Sequence, residues 1–337
     1  MTRIVKVVPG DLTFSCNSNE SVLEAAERSQ WRLPSRCRNG TCGTCRAQLL
    51  AGKVRWLSHD QTALSPDEIA SGQILCCSVE PLTDLVIEVS SIQPAVERTV
   101  KKMRVRVESI ESLAHDVVRL MLKLPDNHGL SWLPGQYIEI ILPTGERRSF
   151  SIANHFTGTP WIELHIRNLA GGLLSGKLFS QVKEKSLLQI EGPLGDFYLR
   201  KDSPRPALFV AGGTGFAPIK AIIEELVASG VDRPLHLYWG VRALRDLYLP
   251  ALPQEWLRTV KDFCYVPVLS EPQIEDDWQG KRGFVHEAVA ADEVNLASFD
   301  VYAAGPPVMV QSAHQAFIAR GLPPTQFFSD PFEYARR

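Results

Sequence analysis

No stretch of this sequence approaches the roughly 20 consecutive apolar residues that a membrane span needs. The opening "MTRIVKVVPG" has neither the apolar core of a secretory signal nor the Arg/Ser-rich bias of a transit peptide. An excess of one charge is also lacking. Lys and Arg number 36 and Asp and Glu 38, for a formal net charge of −2, so nothing favours nucleic acid or an anionic membrane as a partner. A cytoplasmic protein that engages neither is expected. The eight histidines show no metal-ligand spacing, there is no Gly-x-Ser-x-Gly elbow, and no internal repeat or low-complexity segment occurs. Cysteine is sparse, and its count of seven is odd, which argues against a disulfide framework.

What is present divides into three parts. A chain of 337 residues with 45% hydrophobic content is long enough for more than one core. Residues 1–92 read as short strands, loops and one helix. "IVKVVPG" and "DLTFSC" predict a hairpin, "SVLEAAERSQ" a helix opened by a capping box of Ser21 and Glu24, and "LTDLVIEVS" a closing strand. "SIQPAVERTVKK" reads as a linker. Residues 101–200 hold strand after strand. In "VVRLMLKLP" the side chains of Val118, Leu120, Leu122 and Leu124 share one face, with Arg119 and Lys123 on the other. "GQYIEIILP", "RRSFSIAN", "WIELHIRN" and "SLLQIEGP" follow, and a short helix is expected only near "LLSGKLFSQV". That pattern predicts an antiparallel barrel. From 204 to 337 strands and helices alternate. "PALFVAGG" leads into a helix with an apolar face of Ile219, Ile222, Ile223 and Leu226, and "PLHLYWGV", "DFCYVPVLS" and "FDVYAAGPP" are later strands. A parallel α/β domain is expected. Glu224 and Glu225 read as a solvated polar face.

Three cysteines crowd into "CRNGTCGTC". Structural zinc usually takes two Cys-x-x-Cys knuckles, and only Cys42 and Cys45 make such a pair. A spacing of four, then two, then a distant cysteine is the plant-type [2Fe–2S] pattern. It marks Cys37, Cys42 and Cys45 as iron ligands and leaves the fourth to the doublet Cys76-Cys77; zinc or free thiols are the competing readings. Gly40 and Gly43 allow the loop to turn its N–H groups toward a cluster. No histidine replaces two of the cysteines, as a Rieske centre would need. Residues 1–92 resemble the plant-type ferredoxins, through "CRNGTCGTC" and "GQILCCSVEP". In that family the last ligand follows Leu-x and precedes a proline four residues on. With Leu75 and Pro81 in place, the resemblance implies Cys77 as ligand, Cys76 as its neighbour and a β-grasp fold. Cys16 and Cys264 read as small buried hydrophobes.

A one-electron centre needs a source of electrons, and the remainder resembles one. "RRSFSIAN" contains Arg148, Phe150 and Ser151 in the Arg-x-Tyr-Ser pattern of the ferredoxin–NADP reductase superfamily, and "GGLLS" resembles its pyrophosphate loop. The resemblance implies FAD in the barrel. Arg148 would hold its phosphates with Gly171, Gly172 and Ser175, Arg167 would be the second basic residue of the flavin site beside Ile166 as a further binding residue, Phe150 would pack on the flavin, and Ser151 would donate near flavin N5. Phe150 departs from the family's tyrosine. A guanidinium suits a pyrophosphate by paired hydrogen bonds on chemical grounds alone. "GGTGFAP", carrying Gly212, Gly213, Thr214 and Gly215, follows a buried strand and opens a helix, where a parallel sheet binds a pyrophosphate. With "YWGVRALRDLY" and "AAGPPVM" it matches the superfamily's nicotinamide domain, which adds Arg242, Gly305 and Pro306 as binding residues. Ala304 stands where the family has a cysteine beside the nicotinamide, and Phe332 is expected near the flavin.

The order cluster, FAD, nicotinamide is similar to that of reductases serving bacterial multicomponent oxygenases and of CDP-6-deoxy-Δ3,4-glucoseen reductases of deoxysugar synthesis. It implies a multidomain α/β iron–sulfur flavoprotein that passes a hydride from NADH to FAD and single electrons through the cluster to a partner protein, such as an oxygenase component docking near the cluster. A free flavin reductase is the alternative that needs no docking. Arg242 and Arg245 keep NADPH open, because an arginine after the second strand can hold a 2′-phosphate. Arg32, Arg36, Arg38 and Arg46 flank the cysteines and suggest a basic docking collar.

Overall fold

Alternation decides the first sheet. The computed structural model describes residues 2–8, 12–35, 38, 40, 43–57, 63–89, 92–94, 100–168, 182–201, 203–230, 232–293 and 295–332. Strand β1 (Arg3–Val8) buries Val5 and Val7 and pairs antiparallel with β2 (Leu12–Cys16), which buries Phe14 and Cys16. Helix α1 (Val22–Arg28) starts at the expected capping box, Ser21 accepting from Glu24 N–H and Glu24 accepting from Ser21 N–H. It buries Val22, Leu23, Ala25 and Ala26. Then come β3 (Trp31–Arg32), β4 (Arg46–Ala51), β5 (Val54–Trp56), α2 (Pro66–Ala70), β6 (Gln73–Leu75), β7 (Val79–Pro81), β8 (Leu85–Val89) and β9 (Gln93–Pro94). The main sheet runs β2-β1-β8-β4-β6, with β1 and β8 the parallel pair. The last strand thus slots between the first hairpin and β4, a β-grasp order. A second capping box, Ser65 with Glu68, starts α2.

The chain divides into two compact units, Met1–Arg98 and Thr99–Arg337. The stretch expected as linker contributes at both ends: β9 pairs with β3, and Lys101 opens the next strand. The second unit carries both the strand-rich and the alternating part. Its first six strands are β10 (Lys101–Ser112), β11 (Val117–Lys123), β12 (Tyr137–Ile141), β13 (Arg147–Ser151), β14 (Trp161–Arg167) and β15 (Leu187–Leu194), in the antiparallel order β13-β12-β15-β10-β11-β14. The sheet closes on itself: Ile152 bridges Leu164, and Ala153 N–H donates to the Glu163 carbonyl at 2.8 Å. Leu120, Leu122, Ile138, Ile140, Ile162 and Ile190 fill the interior. The helix expected near 173–182 lies almost wholly outside the described residues.

The remainder is β16 (Ala207–Gly212), α3 (Phe216–Ser229), β17 (Leu235–Val241), α4 (Ala251–Thr259), β18 (Phe263–Leu269), β19 (Lys281–Arg282), α5 (Val285–Asp292), β20 (Asp300–Gly305), α6 (Pro307–Ile318) and β21 (Phe327–Pro331). All six strands run parallel, in the order β19-β18-β17-β16-β20-β21. Both faces are covered, so β16 and β20 are buried along their whole length. Strand order reverses between β16 and β20. In an open α/β sheet that reversal opens a crevice at the carboxyl ends of the two strands, where ligands bind. Here those ends are Gly212 and Gly305.

Candidate functional site

In the first unit the segment between β3 and β4 has three described residues with left-handed backbone, with φ of 58° at Arg38, 86° at Gly40 and 73° at Gly43. It delivers Cys45, buried at 3% exposure, to Cys77, and the two sulfurs lie 3.2 Å apart. A disulfide would need about 2.0 Å, so these are unbonded thiols held together, a donor pair that fits a thiolate-bound metal. Cys76 points elsewhere: it is 1% exposed in the apolar core, its N–H donates to the Cys45 carbonyl at 3.0 Å, and burial pushes its thiol well above the ordinary range. Cys37 and Cys42 lie outside the described residues. Cys16 is 1% exposed and burial raises its thiol to about 12. The basic collar is partly neutralised. Arg38 pairs with Glu27 at 2.5 Å and Arg46 with Glu68 at 2.5 Å, while Arg36 lies outside the described residues.

In the second unit the crevice is built by glycines that let backbones touch. A Cβ on Gly215 would fall 2.0 Å from the Ala304 carbonyl, and one on Gly305, whose φ is 140°, 2.7 Å from the Gly212 carbonyl. Gly212 is packed against Pro306 and Met309. A single 3₁₀ turn, Gly213–Gly215, leads straight into α3, so the helix N-terminus with its unpaired N–H groups faces the crevice. Trp239 holds the turn: its Nε1 donates to the Gly213 carbonyl at 2.9 Å, and its ring stacks on Phe216 at 4.0 Å. Arg242 and Arg245 are exposed just past β17, and neither makes an ion pair among the described residues. Ala304 is wholly buried at 0% exposure in the core, so its methyl faces protein and its carbonyl faces Gly215.

The two arginines of "RRSF" differ. Arg147 is occupied on the surface by Glu139 at 2.7 Å and Glu191 at 3.1 Å. Arg148 is half-buried and its Nε has no hydrogen-bond partner. Arg167, at the end of β14, forms an ion pair through Nε with Asp116 at 3.1 Å, and one of its buried terminal nitrogens lacks a hydrogen-bond acceptor. Its guanidinium also lies against Gly213, 2.8 Å from where a Cβ would be. Buried donors without acceptors are rare and costly, and on these two arginines they fit an anionic group such as a pyrophosphate. His115 and Asp246 gather on the far side of Asp116, at 3.8 and 3.6 Å contacts through the imidazole; the sequence reading had given no histidine such company. Phe150 packs on the barrel core, and Ile166 is 2% exposed. Gly171, Gly172 and Ser175 lie outside the described residues.

Ser151 joins the halves. Its hydroxyl donates to Asp330 Oδ2 at 3.0 Å, and Asp330, 3% exposed on β21, sits opposite Ala304 in the ladder. Two residues on, Phe332 N–H donates to the Gly305 carbonyl at 2.8 Å. The barrel residue expected at the flavin and the crevice residues expected at the nicotinamide therefore converge. No role for Asp330 was expected from the sequence; its signal is the one carboxylate in the closing strand FFSDP.

Comparison with known proteins agrees with this division. Residues 5–82 match the 2Fe-2S iron-sulfur cluster binding domain, 104–198 the oxidoreductase FAD-binding domain and 209–315 the oxidoreductase NAD-binding domain. The chain is similar to the CDP-6-deoxy-L-threo-D-glycero-4-hexulose-3-dehydrase reductase of Yersinia pestis, at 38% identity over 98% of this chain and 99% of that protein. It is similar to terephthalate 1,2-dioxygenase reductase component 1 of Comamonas sp, at 34% identity over 98% of each chain. Among solved structures it resembles an Amycolatopsis cytochrome P450 reductase, with a TM-score of 0.75 and 32% identity over 98% of each chain. With three domain models matched in this order and relatives above 30% identity along nearly the whole chain, the chain belongs to the family of NAD(P)H-dependent iron–sulfur flavoprotein reductases that join a 2Fe-2S domain to FAD- and NAD-binding domains.

Proposed function

We propose that this reductase takes a hydride from NADH and delivers electrons singly to an oxygenase component in the cytoplasm, using three functional domains, 1–92, 101–200 and 204–337. Bound FAD supplies the conversion between a two-electron donor and a one-electron acceptor, and a [2Fe–2S] cluster supplies the one-electron exit. The observation that carries the reading is the unbonded Cys45–Cys77 pair on the same chain as the glycine crevice. A flavin reductase serving only small oxidants needs no such exit.

The residues divide the work. Cys37, Cys42, Cys45 and Cys77 ligate the iron. Arg148 and Arg167, with Gly171, Gly172 and Ser175, hold the FAD phosphates, and Phe150 and Ile166 pack beside the flavin. Gly212, Gly213, Thr214 and Gly215 cradle the nucleotide phosphates at the start of α3, with Gly305 and Pro306 on the facing edge. Ser151 gives its one hydroxyl proton to Asp330, so it meets the flavin edge as a hydrogen-bond acceptor rather than as the donor expected from the sequence. Ala304 acts through its backbone, and Phe332 is anchored next to Gly305. Hydride transfer requires near-contact alignment of donor and acceptor carbons, and these contacts set it. NADPH as donor is the second reading, favoured by the exposed Arg242 and Arg245. A deoxysugar dehydrase as acceptor is likewise a second reading, favoured by the 38% identity to a dehydrase reductase.

Reconstitution tests the acceptor. The purified holoprotein is supplied with NADH and, separately, a dioxygenase component, a CDP-6-deoxyhexulose 3-dehydrase and free FMN. Turnover with the oxygenase component is expected. Turnover with the dehydrase alone would assign the second reading, and FMN reduction with turnover of neither protein would overturn both.

A further inference from the structure

One charged cluster in the second unit has no part in holding phosphate or iron. Lys220 lies in the second turn of α3, on the helix that begins at the Gly213–Gly215 turn, and is 5% exposed. Its Nζ donates to the Ala153 carbonyl at 2.9 Å and forms ion pairs with Glu163 at 3.2 Å and Glu224 at 2.8 Å. Ala153 is two residues past Ser151, and Ala153 and Glu163 are the two residues whose backbones close the barrel seam. Glu163 also accepts from Arg119 Nε at 3.1 Å and from His165 Nε2 at 2.8 Å. A carboxylate only accepts, so His165 carries its proton on Nε2. Its Nδ1 then accepts from the hydroxyl of Tyr248, which belongs to the nucleotide half, at 3.0 Å. Tyr248 in turn packs edge-on against Trp239, the residue bonded to the Gly213 carbonyl.

Two independent routes therefore run from the phosphate turn to the seam beside Ser151, one through α3 and Lys220, the other through Trp239, Tyr248 and His165. We infer that Lys220, clamped by Glu163, is a positioning residue for hydride transfer: it sets the register between the nucleotide turn and the strand that carries Ser151. A surface ion pair would be too weak and mobile for this. A buried lysine with three acceptors is directional, and a small misplacement at the reacting carbons is costly in rate. Glu163 is ionised in this setting. Burial by itself would raise its carboxyl, but the His165 hydrogen bond and the Lys220 and Arg119 charges outweigh burial and hold it at about 2.

The inference rests on hydride transfer from nicotinamide to flavin in the reductase. Its test compares the wild type, Lys220→Arg, Lys220→Met and the double variant Lys220→Met/Glu163→Gln, which leaves no lone buried charge and so remains informative if the single variant fails to fold. Stopped-flow flavin reduction at several NADH concentrations separates the limiting rate from NADH affinity. In parallel, amide hydrogen exchange at Ala153 is read in the FAD-free proteins. The double variant should reduce flavin roughly tenfold more slowly, with NADH affinity within about twofold and faster exchange at Ala153; Lys220→Arg should recover most of the rate. A double variant with wild-type rate, or with unchanged exchange, overturns the inference. So does a loss confined to NADH affinity, which would make Lys220 a binding residue. Absence of NADH-dependent flavin reduction in the wild type would instead overturn the functional reading.

Discussion

At the scale of single residues, the adjacent cysteines make the sharpest contrast. Cys77→Ser should abolish the cluster, because Cys77 is the one placed 3.2 Å from Cys45. Cys76→Ser should keep it while destabilising the first unit by about 1–3 kcal/mol, since a hydroxyl would replace a thiol in an apolar core. Iron content and visible absorbance check the first outcome, and denaturant unfolding the second. A Cys76→Ser protein without visible absorbance would reverse the assignment. Asp330→Ala should slow flavin reduction by about tenfold, roughly the worth of one hydrogen bond in the barrier, as Ser151 loses its acceptor. Stopped-flow reduction by NADH measures it, and an unchanged rate would leave Ser151 aimed by other contacts. The nearness of Cys45 and Cys77 agrees with the register that the ferredoxin resemblance implied, because the motif around each of the two cysteines is local in sequence. Asp330 and Lys220 were not legible, because their partners, Ser151 and Glu163, are 179 and 57 residues away and no local pattern reports such pairs. Glu224 was misread for a different reason: its partner Lys220 is only four residues away, but nothing in the sequence shows that this lysine is buried, so the pair it makes with Glu224 looks like an ordinary solvated one.

At the scale of elements, strands and helices followed their periodicity closely. β11 buries Leu120 and Leu122 and leaves Arg119 and Lys123 on the opposite face, and α3 buries the expected Ile219, Ile222, Ile223 and Leu226, although its first two turns are buried on every side. What periodicity could not supply was pairing: the place of β8 beside β1, the barrel closure at Ile152 and Leu164, and the crevice at the strand-order reversal. The short α2 and the edge strands β19 and β21 carried too little pattern to be seen. The crevice depends on the element junction at Gly215. Gly215→Ala would drive a methyl group into the Ala304 carbonyl, so the 3₁₀ turn must shift away from β20. A loss of about 1–3 kcal/mol is expected from such overpacking, together with weakened nucleotide binding. Urea unfolding and NADH titration check both, and wild-type values for the pair would show that the turn has slack.

At the scale of the whole molecule, charge and electron flow are separable. The second unit should weaken in acid in two steps. Burial lowers His165 below its ordinary value of 6.5, so below about pH 6.5 the unfolded chain takes up a proton that the folded ring resists. Glu163, lowered from 4.5 to about 2, contributes stability that is full above about pH 4.5 and is lost as pH falls toward 2, on the order of 3 kcal/mol. Urea midpoints from pH 7 down to 3 should fall accordingly, and Glu163→Gln should flatten the lower part. Electron flow makes the larger claim, that the reductase half is complete without the cluster and the cluster serves only as the exit. Anaerobic NADH titration of the wild type and of Cys77→Ser, followed by EPR and by ferricyanide reduction, tests it most directly. A reduced-cluster signal should appear in the wild type and be missing in the variant, which still reduces ferricyanide at near wild-type rate. A wild type that carries iron and FAD yet yields no cluster signal with NADH, or a variant that loses both activities together, would contradict the account.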